Sequence, residues 1–333
     1  MATYKGIQGY SVQTLASDPS PTASVVGQLW FNSTSSTYKI AVAAGGAWAS
    51  GGAMNTARSE LAGAVQGTQS AGLIFGGMPD GTGRDLTESY NGSTWTEVND
   101  LLTGRAGQMG AGTQAAGLCF GGYTSSPGYQ DLTENWDGTS WTEVNDLNTP
   151  RRGSAGNGSS TAAMCATGYG PGPSRTTAAE TWNGTSWTEV NDLNTARAYL
   201  PGAGTSTASL AICGQVPGNP YISDKTESYN GTSWSEVNAC NTGRYGNTAW
   251  GIQTAALTMA GTGDPPRYTL TESFDGTNWT EVGDMAGKRM SAAGGGSSTD
   301  GLIGGGSDTG EAQLDTSEEW SDPTYTIKTV TTS

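Results

Sequence analysis

Apolar and polar positions alternate in short runs along nearly the whole chain, and the runs end in turns containing Gly, Asn or Asp. Period-two alternation over such lengths predicts strands, and no stretch sustains the 3.6-residue period of a helix. In one representative segment, residues 59–68 and 71–77 read as strands a and b, 86–90 as strand c and 94–98 as strand d. Between c and d stands Asn-Gly, or Asp-Gly in other copies, and both residues tolerate the positive φ of a tight hairpin.

The segment recurs. Trp48, Trp95, Trp141, Trp187, Trp234 and Trp279 follow one another at intervals of 47, 46, 46, 47 and 45 residues in the strand-d column. Tyr90, Trp136, Trp182, Tyr229, Phe274 and Trp320 form a second column, on strand c, in the same register. Four strands per ~46 residues, repeated in a row, is the arithmetic of a β-propeller. The expected fold is all-β: a six-bladed propeller over 46–321, a small N-terminal β-meander and anchor over 1–45, and a tail over 322–333. The meander strands read as 27–32, 37–42 and 47–50. Trp48 has no strand c of its own, while the strand c near 314–320 has no following Trp phrase. The N-terminal strand carrying Trp48 is therefore expected to complete the blade of Trp320, which removes an exposed edge. Segment 325–330 is available to pair with the meander.

Composition narrows the chemistry. The 333 residues include 52 Gly and 13 Pro and only 14% are charged, yet 11 Trp and 13 Tyr separate the chain from a disordered tract. Without histidine there is no imidazole acid–base catalysis and no imidazole metal site. A net charge of −15 argues against nucleic acid or an anionic membrane surface as a partner. No run approaches ~20 apolar residues and the N-terminus lacks a leader-like apolar core, so neither membrane insertion nor a signal peptide is expected. No metal and no cofactor is expected, because no motif at ligand spacing is present.

Two charged columns also keep the repeat register. Arg58, Arg105, Arg151 or Arg152, Arg197, Arg244 and Arg289 precede strand a, and Glu88, Glu134, Glu180, Glu227, Glu272 and Glu318 lie on strand c. A feature needed once per repeat is read as architectural, with each Arg tying one blade to the next. Cys119, Cys165 and Cys213 occupy corresponding strands of successive repeats, too far apart for disulfides, and with Cys240 they read as small buried hydrophobes.

Divergence between copies is concentrated in the b–c loops, 78–85, 123–131, 169–177, 215–224, 262–269 and 307–313. These carry Arg84, Tyr123, Tyr129, Tyr169, Arg175, Tyr221, Arg267 and Tyr268, residue types that make good contact surfaces, and they form the candidate binding face. Strand alternation places both ends of the repeat array on the opposite, c–d side.

A diglycine closing strand b, an aromatic on c, a Trp on d and an Arg opening the next repeat resemble the kelch pattern. The diglycine stands as Gly76-Gly77, Gly121-Gly122 and Gly305-Gly306, and reads as degenerate at Thr167-Gly168, Gly214-Gln215 and Ala260-Gly261. The resemblance implies a kelch-type propeller and leaves activity open. Kelch-type galactose oxidase needs two copper-binding histidines, which are absent here, and the sialidase box Ser-x-Asp-x-Gly-x-x-Trp is not matched. The stretch from Gly27 to Trp48 resembles a module of bacteriophage tail-fibre and other virion proteins. Over its length the chain resembles uncharacterised kelch-repeat proteins of marine phages, cyanophages especially. That resemblance implies a virion component and does not say which; with no enzyme motif matched, the expected protein is a non-enzymatic tail fibre or surface appendage made in the host cytoplasm. It would join other virion proteins through its N-terminal region and bind a host-surface glycan or protein. The alternatives are a decoration or adaptor packed against capsid or tail subunits and, third, a glycan-processing enzyme. No heptad or β-helix repeat enforces a trimer, and a homo-oligomer is compatible with the composition.

Overall fold

Local turn chemistry sets the strand pattern in the computed structural model, which describes residues 12–20, 27–43, 46–78, 85–126, 128–172, 174–218, 221–263, 266–322 and 325–330. At the first c–d turn the Asn91 side chain accepts the N–H groups of Ser93 and Thr94 at 3.0 and 2.9 Å, while Gly92 takes a φ of +90°. Asp137 and Asp275 repeat this arrangement, and their backbone donors hold both carboxyls below the usual range. The described residues contain strands and turns and no helix, arranged in seven four-stranded sheets.

The chain forms two compact units, Met1–Gly46 with Asp322–Ser333, and Ala47–Ser321. The first holds one sheet of Gln13–Leu15, Leu29–Asn32, Thr37–Ala43 and Tyr325–Thr329, in which the C-terminal segment pairs antiparallel with Thr37–Ala43. Its first strand runs parallel to its second. The expected three-strand meander is therefore corrected: two of its strands stay in this sheet and Ala47–Ser50 leaves for the second unit.

That second unit contains six sheets, numbered here 1 to 6. Sheet 1 has strands a (Ala62–Gly63), b (Gly72–Phe75), c (Thr87–Tyr90) and d (Trp95–Val98), so its strand a is much shorter than expected. Sheets 2 to 5 carry Trp141, Trp187, Trp234 and Trp279 on strand d. Sheet 6 is Ala293–Gly296, Asp300–Gly304, Ser317–Ser321 and, as its fourth strand, Ala47–Ser50. Trp48 lies opposite Trp320 as Trp141 lies opposite Trp136.

Six hydrophobic clusters sit between consecutive sheets, and the last joins sheet 6 to sheet 1 through Met54, Leu61, Ile74, Tyr90, Trp95, Ala293 and Leu302. Strand-d indoles cross these boundaries. Trp141 and Trp187 Nε1–H donate to Thr87 and Thr133 Oγ1 of the preceding sheet, and Trp48 donates to Thr271 of sheet 5, each at 3.0 Å. In sheet 3 the acceptor position is Ala179, and Trp234 Nε1 has no partner among the described residues.

The charged columns are internal. Arg58, Arg105, Arg151, Arg197, Arg244 and Arg289 are at most 1% exposed, which settles Arg151 over Arg152 as the repeat residue. Each guanidinium pairs with the strand-c Glu of its own sheet, as in Arg58 Nη2 to Glu88 Oε1 at 2.7 Å. This corrects the expectation that the side chain ties neighbouring blades. The inter-sheet tie is the Arg main chain: the carbonyl of Arg105 accepts the Gly77 N–H at 2.9 Å, and that of Arg58 accepts the Gly306 N–H at 2.8 Å. In sheet 4 the equivalent pair is Cys213-Gly214, with φ of 61° and 105°, not Gly214-Gln215.

The cysteines are buried and free, as read from the sequence, with one proximity that the repeat spacing does not show. All four are buried, but Cys240 Sγ lies 2.9 Å from Cys213 Sγ. Cys240 follows strand d, and the d–a segment folds back against the diglycine position of its sheet, a proximity that strand-to-strand spacing alone does not show. Burial pushes the thiols of Cys119 and Cys165 up to about 12.

Candidate functional site

Two residues after each repeat Arg, the backbone turns into the left-handed region at Glu60, Gly107, Gly153, Tyr199, Gly246 and Ser291. These six residues form a closed cycle of backbone hydrogen bonds. Gly107 N–H donates to Glu60 C=O at 2.9 Å, Gly153 to Gly107 at 2.8 Å, Tyr199 to Gly153 at 2.6 Å, Gly246 to Tyr199 at 2.8 Å and Ser291 to Gly246 at 2.7 Å. Glu60 N–H then donates to Ser291 C=O at 2.9 Å and completes the circuit. Deeper along the first strands, glycines permit the close approach: a Cβ on Gly110 would lie 2.2 Å from the Gly63 carbonyl oxygen. The cycle rims a cavity of about 120 Å³ lined by all six residues.

Glycine suits such a position, and a side chain there costs roughly 1–2 kcal/mol. Glu60 and Tyr199 accept that cost with large polar side chains at φ of 52°. Strain retained where glycine serves elsewhere marks these two side chains as functional candidates. Burial pushes the Glu60 carboxyl up, partly offset by the Arg152 guanidinium; burial also raises the Tyr199 phenol, with the Glu60 charge adding to it.

Arg152 is the residue that the repeat does not use. Its guanidinium lies 4.5 Å from the Tyr123 ring centroid, 5.7 Å from Tyr199 and 5.8 Å from Tyr129. Tyr123 and Tyr129 meet edge-on at 5.4 Å, and Tyr169 meets Tyr199 at 5.5 Å. Arg175 lies 4.9 Å from the Tyr169 ring centre, and both Tyr169 Oη–H and Arg175 Nη2–H donate to Gln215 Oε1 at 3.1 Å. The arrangement is a continuous aromatic–arginine cluster across sheets 2 to 4, whose cation–π contacts hold the rings in place.

Four of the eight residues singled out in the b–c loops, Tyr123, Tyr129, Tyr169 and Arg175, thus come together. They are half-buried against one another, not freely exposed. Tyr221 packs on Tyr245 at 5.9 Å, Tyr268 lies near the buried Arg244, and Arg267 lines a separate groove over sheets 5 and 6. Arg84 lies outside the described residues. Glu60, Arg152, Tyr199 and Tyr245 were not legible as site residues by loop divergence, and Gln215, the first residue of the divergent loop 215–224, was not singled out. The available signal was a column in which Gly107, Gly153 and Gly246 are interspersed with Glu60, Tyr199 and Ser291, in a segment that otherwise varies little.

The fold and this face define an all-β, propeller-like protein with an aromatic, polar rim. Among solved structures the chain is similar to that of YjhT, a propeller-type protein, with a TM-score of 0.64 and 12% identity over 83% of this chain and 99% of that one. At that identity the likeness shows the fold alone. No family model matches the chain, and no curated protein matches it.

Proposed function

We propose that unit Ala47–Ser321 is a six-bladed kelch-type propeller and that the protein is a virion component displaying its b–c face to a host-surface glycan or protein. The observation that carries the binding role is the cluster around Arg152: non-repeat side chains gathered on one rim of a scaffold whose other features recur from sheet to sheet. The closed hydrogen-bond cycle and the six inter-sheet clusters support the six-bladed reading. Ala47 and Ser321 lie directly opposite each other where other sheets carry the c–d turn, so both ends of this unit leave at the far end from the b–c loops. The assignment to a virion, and attachment to other virion proteins through residues 1–45, rests on the resemblance of the N-terminal stretch to tail-fibre modules. The role is binding rather than catalysis.

Arg152→Ala combined with Tyr129→Ala should lower binding of purified protein to host cells by tens-fold, as loss of hot-spot aromatics and arginines does. Glu189→Gln, on an exposed strand-d position, serves as the control and should bind normally. Unchanged binding by the double variant would overturn the reading. Normal cell binding with failed incorporation into particles would favour the decoration or adaptor role.

A further inference from the structure

Resting on the glycan-binding reading, we propose that the groove over sheets 5 and 6 is a subsite for a neutral saccharide. Its volume is about 720 Å³, within the range of small-ligand sites, and its lining includes Glu60, Tyr245, Arg267, Met290, Glu311 and Gln313. Two buried atoms there lack a hydrogen-bond partner among the described residues, Arg267 Nη1 and Gln313 Oε1. Buried polar atoms are normally paired, and an orphaned set at a cavity describes the ligand that would pair it. This set offers one donor and one acceptor. A carboxylate or sulfate would satisfy Arg267 but meet the Glu60 and Glu311 carboxylates, and an ammonium group would meet Arg267. Sugar hydroxyls both donate and accept, so a neutral ring satisfies both atoms without bringing a charge. Tyr245, braced by Tyr221, and Met290 supply the apolar surface on which the C–H face of a sugar ring rests. Glu311 holds a strained φ of 65° at the rim.

The test is titration of the full chain with neutral oligosaccharides of glucose, galactose and mannose, and with oligogalacturonate as the anionic counterpart, followed by saturation-transfer NMR. At least one neutral probe should saturate, with affinity falling about tenfold or more in Arg267→Ala and in Gln313→Ala but not in Glu189→Gln. Failure of every neutral probe, preference for oligogalacturonate, or retention of binding in both groove variants would overturn the proposal. Cell binding lost with Arg152→Ala/Tyr129→Ala and kept by the groove variants would leave the general reading standing and remove the subsite.

A different observation carries a second inference. The structure assigns Cys213 and Cys240 as a pair able to form a disulfide. Their sulfurs are 2.9 Å apart, and each replaces a different repeat residue. Position 240 is Leu or Met in the other copies (Met54, Leu101, Leu147, Leu193, Met285), and position 213 is Gly, Thr or Ala (Gly76, Gly121, Thr167, Ala260, Gly305). Glutathione disulfide is the oxidant: the two thiols lose two electrons and two protons, one S–S bond forms, and two glutathione thiols are released. After refolding with glutathione disulfide, denatured protein should present two alkylatable thiols and a Cys213–Cys240 linked peptide. Four free thiols, or a linkage involving Cys119 or Cys165, would overturn it. Cys240→Leu, which restores the repeat residue, should present three thiols.

Discussion

Glu88→Ala is expected to lower the unfolding free energy by about 3–5 kcal/mol, the cost of stranding a buried guanidinium. The Arg58 and Glu88 side chains are 0% and 1% exposed, and the ion pair is 2.7 Å long. Glu88 also accepts the Asn55 N–H at 2.7 Å and its Nδ2–H at 2.9 Å, so one substitution removes an acceptor from three donors, of which Asn55 Nδ2 keeps another in the Trp95 carbonyl at 3.2 Å. Removing both charges with Arg58→Met/Glu88→Leu should recover a large part of the loss, because the uncompensated ion is then gone. A urea-denaturation double-mutant cycle measures the difference. The surface pair Lys225–Glu236, with side chains 43% and 52% exposed, should show no measurable change when Glu236 becomes Gln. If Glu88→Ala proved as mild as Glu236→Gln, the arginine column would not be the internal frame described here.

Deleting residues 1–50 should abolish cooperative folding of the monomer and drive self-association, since sheet 6 would lose its fourth strand and expose the Ser317–Ser321 edge. The point substitution Trp48→Ala should cost about 3 kcal/mol. Its ring packs 5.5 Å from Trp320 and 6.1 Å from Trp250, and its Nε1–H donates to Thr271. Sedimentation and thermal melts check both. The decisive rescue is a chain of residues 51–320 followed by Asn-Gly-Thr-Ser and Trp-Ala-Ser, which supplies the strand through the turn used by other sheets. It should be a cooperatively folding monomer; persistent association would mean that Ala47–Ser50 is not the closing strand.

Much of the frame was legible because its causes are local. Asn91, Asp137 and Asp275 make their turns from their own side chains and the next residues, so the Asn/Asp-Gly phrase predicts hairpins wherever it stands. Trp48 could be assigned to a distant strand because an unpaired strand d and an unpaired strand c each lacked the other. Position-by-position comparison failed at the fourth copy, where Cys213 adopts a glycine-like φ of 61° and disguises the diglycine register. It also placed the arginine partners wrongly, since columns of opposite charge do not say which row pairs with which.

The sequence by itself determined the strands, the hairpins, the repeat and the aromatic columns, because alternation and turn chemistry act over a few residues. Tertiary structure alone decided which side chains share the rim. Glu60, Arg152 and Tyr199 lie in different sheets, and Cys240 meets Cys213 across 27 residues of chain. Such meetings follow from how six sheets pack around a common cycle of hydrogen bonds, and that packing depends on the whole ring rather than on any one segment.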